Sequence, residues 1–108
     1  MNVQLKHLHP EPNVSLEPLE KIFWDYRYSL TGQDLYDFVL DKKDISYLDR
    51  DQVKARVLMT VGWYRLIDIF GLINLESLIT DDSLQWVWVD ELRAQYALAG
   101  KIIKRLLT

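Results

Sequence analysis

Two histidines, two closely spaced tryptophans and a basic terminus are the side chains of this chain that could do chemistry, and their spacing limits what that chemistry is. His7 and His9 would point the same way on an extended chain, as some metal ligands do. The 108 residues contain no cysteine and place no third ligand nearby, so the spacing reads as a histidine pair in a tail, and no metal or cofactor is expected. The lack of cysteine also excludes a disulfide scaffold, a thiolate zinc site and a cysteine nucleophile. Asp41 and Asp44 flank two lysines in a solvated linker, whereas general acid–base chemistry would need carboxylates set in a cleft. Glycines 32, 62, 71 and 100 never cluster, so no phosphate cradle forms, and the common hydrolase, zincin, Walker and EF-hand motifs are missing. A non-enzymatic chain is expected.

The net charge of −3 argues against a nucleic-acid binder, whose affinity comes largely from neutralising phosphates. The charge is uneven, however. Residues 1–50 hold nine acids and six bases, while the last ten carry Lys101, Lys104 and Arg105 with no acid. That patch could touch phosphate, and it also sits where cations meet the negative end of a helix dipole. A DNA-associated regulator using this basic end is the alternative to a protein-interaction module.

Composition bounds the rest. A chain that is 49% hydrophobic and 27% charged is an ordinary globular domain, large enough to hold a core without disulfide or metal. No apolar run reaches membrane-spanning length and the N-terminal residues lack a signal-peptide core, so a cytoplasmic protein is expected.

The elements that must position these groups read as all-α: a compact bundle of five or six short helices with a longer C-terminal helix. Residues 1–17, with Pro10 and Pro12, form an extended arm, and residues 18–108 form one helical domain. Pro18 suits the first turn of a short helix to about Trp24, with Leu19, Ile22 and Phe23 inward. The aromatic run FWDYRY, Phe23 to Tyr28, reads as core anchors or a partner surface. Thr31 and Asp34 form a capping box for a second helix with Leu35, Phe38 and Val39 inward.

The centre of the core is Asp49 to Phe70. Asp49 caps, Leu48 and Val53 staple, and Val53, Val57, Leu58 and Val61 fall at helical spacing until Gly62 interrupts. A second run, Trp63, Leu66, Ile67 and Phe70, ends at Gly71. This helix–glycine–helix has the outline of a helix-turn-helix, but its second helix carries Arg65 alone among Trp63, Leu66, Ile67, Ile69 and Phe70, and reads as buried. Asn74 could cap a further short helix, and Thr80-Asp81-Asp82-Ser83 reads as the next break and the cap of another short turn. Leu84 to Val89, LQWVWV, alternates as a strand would, yet has no strand to pair with, and reads as helical or irregular. The last helix runs from Asp90 to about Leu107 with Val89, Leu92, Tyr96, Ala99, Ile103 and Leu106 inward. Leu98 and Ile102 widen its apolar arc to roughly 180°, either for deeper burial between two neighbours or for an oligomer or partner face.

Partner-binding residues follow from this pattern. Trp86 and Trp88 are the first candidates and Leu98 and Ile102 the second. If the segment is helical, the two indoles lie about 200° apart and one must stay exposed or meet a second body. If it is extended, they share one side and can insert together. The arm could instead fold over the outer indole.

Three pieces in order, IFWDY at 22–26, ARVL at 55–58 and WYRLIDIFGL at 63–72, carry a resemblance, with ELRAQYALAGKIIKRLL at the C-terminus as a fourth. They resemble small uncharacterised FWD-motif helical proteins of Bacteroidetes-type bacteria. Such proteins are encoded beside nucleotidyltransferase-type toxins and are taken as their antitoxin-like partners. The resemblance implies a helical fold and an antitoxin-like, non-enzymatic role, and it brings no functional residues with it.

Overall fold

The computed structural model describes residues 7–22 and 30–107. The aromatic run at 23–28 lies outside the described residues. Six helices are described: α1 Glu17–Ile22, α2 Gly32–Val39, α3 Arg50–Thr60, α4 Trp63–Leu78, α5 Asp81–Leu84 and α6 Asp90–Leu107. The chain is an all-α bundle, and α6, at 18 residues, is its longest helix.

Local signals start most of these helices. Thr31 accepts from the Asp34 amide at 3.0 Å while Asp34 accepts from the Thr31 amide at 3.2 Å, the reciprocal box that satisfies two free donors of α2. Asp49 accepts from the Gln52 amide at the start of α3. Thr80 and Ser83 exchange the same pair of bonds at α5, and the buried Ser83 hydroxyl also donates to the Leu78 carbonyl at 2.6 Å. That second bond ties the end of α4 to the helix that follows it.

The middle of the sequence is the middle of the fold. Helix α3 packs against α1, α2, α4 and α5, and Val53, Ala55, Val57 and Leu58 are all at most 3% exposed. Around them close Leu19 and Ile22 of α1, Leu35 and Phe38 of α2, and Leu66, Ile69, Phe70 and Leu75 of α4. The Tyr36 and Phe70 rings stack at 5.1 Å, joining α2 to α4. Burial raises the Tyr36 phenol above its ordinary range, against a hydrogen bond with Asn74 that lowers it.

Two glycines that read alike as helix breaks behave differently. Gly62 is a plain N-cap at φ −66° and ψ 153°, with open space where a Cβ would stand. Gly71 has φ 74° and ψ 161°, a non-helical conformation only glycine adopts readily, so the run from Trp63 stops there as expected and α4 continues beyond it across a kink. A Cβ there would stand 2.5 Å from the His9 backbone. Asn74 therefore caps nothing. The helix resumes directly at Leu72, and its free amides are met by the arm: Leu72 N–H donates to the His7 carbonyl and Ile73 N–H to the Leu8 carbonyl. The arm also donates, from Glu11 N–H to the Asp68 carbonyl on the other side of the kink. One stretch of arm thus satisfies backbone groups on both sides of Gly71. Leu8, Val14 and Leu16 pack against the core at the same time.

The linker after α2 is exposed as expected, but it is held. Arg50 sits over the Phe38 ring at 4.5 Å and donates to the Phe38 and Lys43 carbonyls. It also pairs with Asp41 and Asp44. Lys43 bonds Asp34 at 2.6 Å, which holds that carboxyl below its ordinary value and raises Lys43.

Candidate functional site

The segment Leu84 to Val89 is neither a strand nor, beyond Leu84, a helix: it leaves α5 in a turn and runs irregularly into α6. Within it only Leu84 and Val87 turn inward, and the residues between and after them face out. Val87 is fully buried, while Trp86 on one side of it is 47% exposed and Trp88 on the other 76%. The buried valine is the anchor and the indoles are what it presents.

The loop is fixed by hydrogen bonds at both ends. Trp86 N–H donates to the Ser83 carbonyl and Val87 N–H to the Leu84 carbonyl. From α6, the Arg93 guanidinium donates to the Val87 carbonyl at 3.0 Å and pairs with Asp90. Loop and helix start are tied by one side chain.

Both indoles line a groove of about 670 Å³ whose far wall is α3. Tyr47, Met59 and Val89 give it further apolar surface; Asp49, Gln52, Arg56 and Thr60 give it a polar edge. Aromatic and thioether surface inside a polar edge is the composition of a protein-binding anchor site. The described part of the arm, residues 7–17, does not fold over these tryptophans. It lies across Gly71, and the groove is lined by residues 47–60 and 86–89.

Leu98 and Ile102 are 60% and 48% exposed. Deeper burial of α6 between two neighbours is therefore not what the structure shows. The inward side of α6 is Tyr96, Gly100 and Ile103, with Leu92 and Leu107 partly covered, packed on α4 and α5. Val89 and Leu106, expected inward, are 43% and 45% exposed. At Gly100 the helix approaches α4 closely: a Cβ there would stand 2.9 Å from Ile79 Cγ2.

Among the described residues, no three His, Asp or Glu side chains gather as metal ligands. His7 is placed by its backbone bond to Leu72, while His9 is exposed. Lys101, Lys104 and Arg105 are exposed near the end of α6, where they complement its dipole. No described helix is long and apolar enough to cross a membrane.

Arg93, Tyr47 and Met59 were missed by sequence reasoning. Arg93 carried one faint signal, its position three residues after Asp90, suited to a helical ion pair. Tyr47 and Met59 reach the groove from another part of the chain, and no local spacing marks that. No family model, no curated protein and no solved structure matches the chain.

Proposed function

We propose that this chain is a cytoplasmic, non-enzymatic protein-interaction module that holds one protein partner through the groove of Trp86 and Trp88. We further propose that the partner is a bacterial toxin of the nucleotidyltransferase type, with this chain as its antitoxin. The observation that carries the first part is the outward placement of two indoles beside a buried valine, on a loop pinned by Arg93. Large indoles are costly to leave in water, and tryptophan is the residue most enriched among binding hot spots. A loop held before binding loses little freedom on docking, which favours affinity. The second part rests on the resemblance of the IFWDY, ARVL and WYRLIDIFGL pieces.

The test is co-expression with the product of the neighbouring reading frame in the source organism. The expected result is a purifiable complex and relief of any growth arrest that the neighbour causes alone. Joint replacement of Trp86 and Trp88 by alanine should abolish both effects in a chain that still melts cooperatively. Relief and complex that survive in the folded double variant would overturn the groove. Binding of duplex DNA that weakens steeply with salt would instead favour the basic end of α6.

A further inference from the structure

Helix α6 exposes a second surface, independent of the groove, since none of the groove residues lies on it. Leu98 and Ile102 stand four residues apart on the side away from Tyr96, Gly100 and Ile103, with Leu106 at the flank, and all three are exposed. At about 100° per residue, Glu91, Ala94, Leu98, Ile102 and Arg105 fall within roughly 80° of arc. Every one of these five is exposed. We propose that this face joins two copies of the chain in an antiparallel, two-fold symmetric dimer centred on Leu98.

The occupant is a second copy because the face is complementary to itself. With the axis at Leu98, each residue before it faces the one equally far after it on the other copy. Leu98 then meets Leu98 of the partner subunit. Ala94 faces Ile102 of the partner subunit, a small side chain against a large one. Glu91, in the first turn, faces Arg105 of the partner subunit, in the last turn, and symmetry makes that ion pair twice.

The parallel arrangement would set Glu91 against Glu91 and Arg105 against Arg105, so charge selects the antiparallel one. Helix dipoles favour the same choice. A single pair of helices, each about 27 Å long, buries less than the roughly 1,200 Å² of a stable interface, so the dimer is weak and concentration-dependent.

The experiment is sedimentation equilibrium of the full chain over a wide concentration range, with far-UV melting to confirm folding. Wild type should shift from monomer to dimer. Leu98→Glu, a change at an exposed site that sets two carboxylates on the axis, should raise the dissociation constant roughly tenfold or more. Glu91→Arg and Arg105→Glu should each weaken self-association. Mixing those two variants should restore a dimer, because every facing pair is then opposite in charge. Wild type that stays monomeric at the highest concentration overturns the proposal. So does a dimer indifferent to Leu98→Glu, or failure of the folded charge variants to associate on mixing. The groove reading stands or falls separately, on the tryptophan variants.

Discussion

Tyr96 donates its phenolic hydroxyl to the Leu58 carbonyl at 2.6 Å, tying the long C-terminal helix to the central one from inside the core. Leu58 lies in the last turn of α3, where helix carbonyls lack partners of their own. The same ring faces Trp63 at 6.4 Å. Tyr96→Phe keeps the ring and strands a buried acceptor, so it should cost about 1–3 kcal/mol in urea denaturation. Burial also raises the Tyr96 phenol above its ordinary value of 10.0. The folded chain therefore keeps a proton that the unfolded chain has already released. This contribution is complete below pH 10.0 and is lost as the pH climbs from there through the raised value. In Tyr96→Phe the alkaline loss of stability should be shallower, with the share due to Tyr36 remaining. An identical alkaline profile in the variant would show that Tyr96 is not buried as described.

The two glycines of the central region should respond oppositely to substitution. Gly71→Ala forces a positive φ on a residue with a Cβ and drives that Cβ into the His9 backbone. The strain alone is about 1–3 kcal/mol, and displacement of the arm would strand the Leu72 and Ile73 amides as well. Gly62→Asp meets no neighbour and adds an N-cap acceptor to α4. It should stabilise the chain by about 0.4–1 kcal/mol. Thermal melts of the pair check both signs, and equal responses would contradict the assigned backbone.

What could be read in advance was what neighbours in sequence decide. The caps at Thr31, Asp49 and Thr80 involve groups three residues apart, and the structure has all three. The stripe Val53, Val57, Leu58 is core for the same reason, since one helix turn defines it. Asn74 was read as a cap because a local acceptor was sought, whereas the arm supplies one from more than sixty residues upstream. Arg50 and Arg93 were illegible because each reaches across to backbone carbonyls of another segment. A helical wheel measures the width of the apolar arc on α6 but not how many neighbours it meets, so Leu98 and Ile102 could be placed on a face but not judged buried or exposed. The alternation of LQWVWV marked Trp86 and Trp88 as a pair to watch but left open whether they insert or face water; burial of Val87 between them, a contact with distant residues, decides it.

Leu58 offers a direct test of where the core lies. It is 1% exposed, beside Val57 at 0%, on a helix that packs against four others. Leu58→Ala loses buried surface and leaves a cavity that these neighbours cannot all close, so it should cost about 2–5 kcal/mol. Urea denaturation with an unchanged slope and a lowered midpoint is the expected result. An unchanged midpoint would move the core elsewhere.

The groove makes a contrast among three consecutive residues. Trp88→Ala removes mostly surface that faces water and should change stability by only about 0.5 kcal/mol, while Trp86→Ala, at a side chain 47% exposed, also removes covered surface and should cost about 1–2 kcal/mol. Val87→Ala removes two buried methyl groups from the anchor between them and should cost about 1–3 kcal/mol. Partner binding should follow the reverse order. Isothermal titration with the purified partner should show each tryptophan variant weakened by 2 kcal/mol or more, about thirtyfold, as hot-spot truncations are. Val87→Ala, measured well below its melting temperature, should bind with less loss, because the indoles and the Arg93 tie to the backbone carbonyl both remain. If either tryptophan variant unfolds the domain, or if both stay folded and bind as tightly as wild type, the indoles belong to the fold and not to an interface.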